Sequence, residues 1–532
     1  MIFHNIDSLR KFSLLGLSLV LFNNTSCIDY MDNVNPNEVT EEMMGVDNLK
    51  TGAFFSQMLR RVIIINDGER LDSDYQIAQN LSHDQYAGYT AATLGSTAHN
   101  GQYIFQESWV NATFDYAYTG VMAPWQNIHR IATEQGLAEV DALATVVKVA
   151  GMHRVADTFG PIPYVNYGTS SLYDPLDEIY KKFFEELGSA IEVLGNYVSG
   201  NADAQLMTDY DYIYGGSVAQ WVKFANTLRL RLALRVAYAD PQLAQQQAEL
   251  SVQSPYGLIE TTADRAELNH GLLVYHHPLQ EIAYNFNAGD CRPCASIVAY
   301  MDGLKDPRIS KYFTAAAEDG EYHGVRVGIS TSNMANYQGA KISNLNMDRN
   351  TTPVVWMTAA ESFFLRAEGA LRGWNMGGDA KSFYEQGVRI SFEENGAGSA
   401  DSYLADNVST PKFFEDNAGS DNYTFTTKVT PAWDDSADFE GKLERIITQK
   451  WIALYPDGPE GWSEYRRTGY PELIPVVVNG SNGTIDTELQ VRRLPYTRDE
   501  KINNAEGVAS GISALGGADT GGTKLWWDQK PR

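Results

Sequence analysis

Three cysteines in 532 residues leave no room for a disulfide framework, and a formal net charge of −26 leaves none for a broad basic face. Neutralising phosphates takes clustered Lys and Arg, so nucleic acid is excluded as a partner. An anionic membrane surface is excluded as a direct partner for the same reason. Chemistry-bearing motifs are also missing. There is no G-x-S-x-G elbow, no H-E-x-x-H and no glycine-rich phosphate loop. His276 and His277 are adjacent and point different ways on most scaffolds, so they do not read as a metal pair. Carboxylates are so numerous (67 Asp and Glu) that no particular pair is singled out for acid–base work. The expectation is a protein that is not an enzyme and has neither cofactor nor metal.

What is present begins at the N-terminus. Arg10 and Lys11 precede the apolar run FSLLGLSLVLF, which is too short to span a bilayer as a mature helix. This is the layout of a signal peptide over residues 1–26. Thr25 and Ser26 precede Cys27, which points to lipoprotein processing, although Asn24 departs from the usual apolar residue. Acyl chains on Cys27 would anchor the chain stably. Residues 27–45 then read as a polar tether, and 46–532 as one exported body. Cys291 and Cys294 remain, as CRPC. A small disulfide loop is the first expectation in an oxidising compartment; two free thiols, or a redox or half-zinc site, are the alternatives.

The body is dominated by helical periodicity. Val218, Trp221, Ala225, Leu228, Leu232 and Val236 form one stripe. Ala360, Phe363, Phe364, Ala367, Ala370 and Leu371 form another. Residues 443–455 form a third, with Lys450 laid along it by its methylene stem. Further helices fit residues 47–65, 114–134, 139–157, 175–197 and 378–394. Several look paired across short turns, as in a degenerate tetratricopeptide-like repeat. The predicted fold class is mainly α: a helical-repeat scaffold with a loop-rich face and short β pieces, VVVN at 476–479 among them.

The stretch QKWIALYPDGPEGWSEYRRTGYP at 449–471 carries the densest pattern. Its helix should stop at Pro456-Asp457-Gly458, followed by a compact turn. Trp451 and Tyr455 read as core, and Arg466 and Arg467 as partners of Glu460 or Glu464. Arg229, Arg231 and Arg235 likewise read as ion-paired on a helix.

That stretch resembles the late helix and turn of the SusD/RagB family of outer-membrane nutrient-binding lipoproteins. ADTFGPIPY at 156–164, DPRISKYF at 306–313, RRLPYTRDE at 492–500 and TKLWWD at 523–528 resemble other family segments, in the family's order. WVKFANTLRLRLALR at 221–235 and MTAAESFFLRAEGALRG at 357–373 resemble its repeat helices. Thr497 stands where the family commonly has proline. The resemblance implies four tetratricopeptide-like helix pairs carrying a ligand face. It further implies lipid anchorage in the outer membrane at the cell surface. Its implied partner is a SusC-like TonB-dependent transporter, for which the protein captures oligosaccharides or other nutrients without chemistry. A helical-repeat scaffold or adhesin, and a lipidated glycoside hydrolase, are the other two readings.

Sugar rings offer flat C–H faces and a rim of hydroxyls, so a site for them needs exposed aromatics beside amides and carboxylates. The long Gly-, Asn- and Tyr-rich segments 83–108, 255–295, 318–352 and 395–441 supply such residues. The ligand-binding candidates are Tyr86, Tyr89, Asn100, Tyr103, Phe105, Tyr284, Phe286, Asn287, Tyr322 and Tyr337. Gln85, Gln102, Trp109, Asp290 and Gln338 stand beside them. Each aromatic alone reads as local packing; the expectation is that some of them meet on one face.

Overall fold

A computed structural model describes residues 48–65, 67–68, 72–285 and 289–531. The signal peptide, tether and Cys27 lie outside the described residues, as do Phe286 and Asn287. The predicted stripes become helices: α1 Leu49–Val62, α2 Glu107–Ala117, α3 Ala123–Gln135, α4 Ala138–Phe159, α5 Leu176–Ser199, α6 Val218–Arg235 and α7 Pro241–Val252. Further along come α8 Pro278–Tyr284, α9 Ala295–Gly303, α10 Ala359–Leu371, α11 Ala380–Glu394, α12 Phe439–Leu454, α13 Gly458–Thr468 and α14 Ala505–Leu515. Four successive pairs pack side by side: α3 on α4, α5 on α6, α10 on α11 and α12 on α13. α6 also meets α10, which joins the early pairs to the late ones. This is the tetratricopeptide-like scaffold expected from the periodicity. The apolar stripes face inward, and Trp221, Phe364 and Trp451 are fully buried along them.

Sheet is confined to three two-stranded antiparallel pieces among the described residues. β1 Thr90–Ala92 pairs with β3 Cys291–Pro293, β2 Ala266–Glu267 with β6 Val355–Met357, and β4 Phe313–Thr314 with β5 Asn344–Leu345. VVVN at 476–479 is not a strand; it runs beside Val327–Gly328, and the Val478 amide donates to the Gly328 carbonyl at 2.9 Å. Residues predicted as one helix over 114–134 are divided among α2, a π-helical turn at Tyr118–Met122, and α3, whose first turn holds Pro124.

The predicted turn after Tyr455 is a helix, α13. Its sequence suits one once the start is placed correctly. Pro459 sits in the first turn, where its missing N–H costs nothing. Glu460 lies at the N-terminal end, and Arg466 and Arg467 at the C-terminal end, complementing the helix dipole. Gly469 closes it at φ 82°, in the left-handed region. Both arginines are fully buried.

α13 packs on a nine-residue π-helical segment, Gln76–Asp84. The approach is closest at Gly458. A Cβ there would stand 2.2 Å from Asp84 Oδ1 and 2.6 Å from its backbone. Gly458→Ala is expected to destabilise the protein by at least about 1–3 kcal/mol, because backbone rather than a flexible side chain must give way. Urea unfolding measures it, and an unchanged midpoint would contradict this packing.

Beneath α13 lies a buried ionic web. Arg231 donates to Glu361 through Nε at 2.7 Å, and Arg235 to Glu460 at 2.5 Å. Arg467 forks onto Glu368 with two bonds of 2.6 Å and also reaches Glu464 at 2.6 Å. Lys450 does not snorkel outward; its Nζ sits 3.4 Å from Glu464 and 3.7 Å from both Glu361 and Glu460. Arg466 makes a different set of contacts. It donates to the carbonyls of Asp157 and Arg492 and stacks 3.5 Å over Trp462. Arg229, expected in an ion pair, donates instead to Gln247 at 2.7 Å.

Cys291 and Cys294 are free thiols. Along an extended strand, three residues advance by about 10 Å, beyond the roughly 7 Å Cα separation a disulfide tolerates. Burial pushes the two thiols up, Cys291 to about 12 and Cys294 to about 11, so neither is poised as a thiolate.

Candidate functional site

Most of the expected aromatic platforms are interior. Tyr89 is fully buried, stacks on Trp451 at 5.5 Å, and donates its hydroxyl to the Trp451 carbonyl at 2.6 Å. Tyr86 lies against Trp462 and donates to the Asn100 carbonyl at 3.1 Å. Tyr337 is buried and donates to Asp416 at 2.6 Å. Buried Asn100 uses its Oδ1 to accept from the Gln106 amide. Tyr103 is buried as well, at φ 62°. These residues therefore correct the expectation of a loop platform. The Tyr86, Tyr89 and Tyr337 hydroxyls and the Asn100 amide oxygen find partners inside the fold, which lets tyrosine act as core. Half-buried Phe105 lays its ring over Gly521, and Tyr322 is half-buried.

Tyr284 is different. At the C-terminal end of α8 it is 42% exposed, and its hydroxyl donates to the Leu345 carbonyl. Its frame comes from β3 and β5. Arg292 Nη1 donates to the carbonyls of Ala283 at 3.0 Å and Cys291 at 3.1 Å, and to Asn344 Oδ1 at 3.3 Å. Asn344 in turn donates to Ala283 at 3.4 Å. A cation and an amide thus cap the Ala283 carbonyl in the last turn of α8, where an arginine is favoured by the helix dipole. Burial lowers the Arg292 guanidinium pKa somewhat, with Asp290 among the charges opposing that shift.

Asp290 anchors the other end. Its Oδ1 accepts from the amides of Thr93 at 3.1 Å and Leu94 at 3.0 Å, and Oδ2 from Gln76 at the head of the π-helical segment. The β1–β3 register sets Ala91 opposite Arg292. The site is accordingly a rim: one exposed ring, tied by its hydroxyl to Leu345, beside β1, β3 and the π-helical segment. Such segments are uncommon and recur near functional sites. Asp84 at the end of that segment accepts from Tyr75, Gln79 and Asn80, and burial raises its carboxyl to about 6.

Chemically, the rim can stack a ring and orient it. Asp290 is buried and engaged by two backbone amides and the Gln76 side chain. Among the described residues, no group of three His, Cys, Asp or Glu is placed to hold a metal. His277 is buried and His276 contacts Asn350 at 2.9 Å. Arg292, Asn344 and Gln76 were not among the expected site residues. Only CRPC drew attention to that strand, and it pointed at the sulfurs rather than at the arginine between them.

Among the described residues no helix is long and apolar enough to cross a membrane. The family described as "SusD-like: Susd and RagB outer membrane lipoprotein" matches residues 32–528. A chitin-binding SusD homolog from Flavobacterium johnsoniae is 39% identical with a TM-score of 0.85, over 90% of this chain and 98% of that one. A SusD homolog from Bacteroides uniformis is 38% identical (TM-score 0.83; 90% and 99% covered). One from Bacteroides vulgatus is 34% identical (TM-score 0.84; 91% and 98%). No curated protein matches.

Proposed function

The chain belongs to the SusD-like family of Susd and RagB outer-membrane lipoproteins, and from that premise we propose that it is a surface-anchored glycan-binding protein. It is tethered through Cys27, captures oligosaccharides, and passes them to a SusC-like TonB-dependent transporter without chemical change. The chitin-binding homolog from Flavobacterium johnsoniae supports a saccharide as the ligand class. The observation that carries the reading in this chain is Tyr284. It is a half-exposed ring whose hydroxyl donates to the Leu345 carbonyl, while Arg292 and Asn344 hold the adjoining backbone at Ala283, and a tethered aromatic loses little freedom when a sugar ring stacks on it.

Calorimetric titration of the purified protein with chito-oligosaccharides and other neutral oligosaccharides tests it. Saturable heat without product is the expected result. Tyr284→Ala is expected to weaken binding about ten-fold, equivalent to about 1.4 kcal/mol. Product release, or silence across the series, would overturn the reading. Cys27→Ala is expected to release the protein from membranes, and its native form to co-purify with a large β-barrel.

A further inference from the structure

We propose that the protein has a second saccharide site, a cleft formed where α12, α13 and the segment around Tyr423 meet, which accepts neutral or amine-bearing sugars and rejects carboxylated ones. It rests on the reading that the ligands are glycans, but it shares no element with the Tyr284 rim. The cleft has a volume of about 500 Å³, within the range of small-molecule sites, roughly 300–1,000 Å³. Three tyrosines and three glutamates line it: Tyr423, Tyr465, Tyr470, Glu444, Glu472 and Glu488. No Lys, Arg or His is among its described lining residues.

The hydrogen-bond inventory gives the ligand chemistry. The hydroxyl donors of the wall are turned onto the protein itself. Tyr423 donates to Glu472 at 2.9 Å, Tyr465 to the Glu488 carbonyl at 3.2 Å, and Tyr470 to Glu440 at 2.8 Å. Thr426 and Thr427 donate their amides to Glu472 at 2.8–3.0 Å, and the Thr427 hydroxyl donates to Glu444. This fixes the carboxylates in place before any ligand arrives. An ionised carboxylate accepts about four hydrogen bonds, and among the described residues nothing donates to the side chain of Glu488. The wall is therefore rich in acceptors and poor in donors. Hydroxyls and ammonium groups complement it, and a carboxylate does not. Burial and then the neighbouring Glu472 push the Glu444 carboxyl upward, against the opposing charges of Arg445 and Lys530.

A second observation lies at the back of the same wall. Leu473 lines both the cleft and a void of about 10 Å³ behind it. Tyr103 and Gln490 also line that void, and both are more than nine-tenths buried. The Tyr103 hydroxyl and Gln490 Nε2 have no hydrogen-bond partner. Both residues are held at positive φ, 62° and 59°. Strain and unpaired buried polar groups each cost stability, and they tend to persist where a site requires them.

Titrating wild type, Tyr284→Ala, and the cleft variants Glu488→Gln and Tyr470→Ala with chito-oligosaccharide, glucosamine oligomer and oligogalacturonide tests the proposal. Two binding events are expected for the first two sugars and none at the cleft for the third. The cleft variants should remove one event, or weaken it about ten-fold, while Tyr284→Ala leaves it intact. Soaking crystals with chito-oligosaccharide provides a readout that does not depend on variants folding, with sugar expected between Tyr423 and Tyr470. A single event abolished by Tyr284→Ala overturns the second site and leaves the proposed function standing. A single event abolished only by the cleft variants supports it and removes the rim. An empty cleft in soaked crystals, or tight galacturonide binding there, overturns it.

Discussion

Replacing Glu460 with alanine is expected to cost about 3–5 kcal/mol of stability, the usual range for breaking a buried ion pair by removing one partner. Glu460 accepts from Arg235 at 2.5 Å and stands 3.8 Å from Arg231 and 3.7 Å from Lys450. Burial by itself would raise its carboxyl. Arg235, then Arg231 and Lys450, outweigh that and hold it well below the ordinary range. Deleting it leaves three buried cations, Arg231, Arg235 and Lys450, with Glu361, Glu464 and Asp157 as the carboxylates near them. The cost arises from the charges left behind rather than from the bond lost, so Glu460→Ala with Arg235→Met should be less damaging than the sum of the single changes. Urea midpoints at unchanged slope measure this. A loss below about 1 kcal/mol for the single variant would show that water reaches the web.

Acid should unfold the protein steeply below about pH 4.5. His83, His153 and His277 are buried neutral, and each is lowered from 6.5 to about 3. Desolvation is the main cause in all three; Arg466 adds to it for His83, Arg231 for His153 and His270 for His277. Such a histidine contributes stability that is complete above pH 6.5 and lost as pH falls toward 3, because the unfolded chain binds the proton first. Glu368, lowered to about 2 by Arg467 and Arg372 against its burial, loses its contribution below about 4.5, as do Glu460 and Glu464. Two carboxyls act in the opposite sense. Asp84 is raised to about 6 and Glu394 to about 7, both by burial, so the folded chain binds their protons first. They offset much of the histidine loss between pH 7 and 4.5, then cease to help once the unfolded chain is also protonated. The expected profile is shallow down to pH 4.5 and then falls by several kcal/mol per pH unit, at about 1.36 kcal/mol per proton. Thermal unfolding across pH 3–8 measures it. His277→Gln should reduce the slope below pH 4.5 by about one proton's worth; an unchanged slope would mean that the ring is already charged in the folded state.

The helices α6, α10 and α12 were legible because their apolar residues recur at helical spacing, and that signal is local. The stretch at 456–471 was read as a turn because Pro456, Asp457 and Gly458 mark a stop, whereas a new helix starts there. The Arg467–Glu464 contact was legible from their spacing, but nothing local indicates that Arg467 will also meet Glu368, or Arg235 Glu460. Tyrosine misled in the same way. Tyr89 looks like a platform until Trp451, far along the chain, provides a carbonyl for its hydroxyl. The candidate site shows the same division. Tyr284 was legible as an aromatic in a polar loop, whereas Arg292 and Asn344 act only because β3 and β5 bring them to the end of α8.

By itself, then, the sequence determined the helical-repeat scaffold and the family, because periodicity and ordered motifs are carried by the chain without reference to its folding. Only the tertiary structure decided which tyrosines are core, which arginines are buried and where an aromatic ring remains open to a ligand. Those outcomes depend on whether a polar group finds its partner across the fold, and the partner's position is set by packing between helices far apart in sequence.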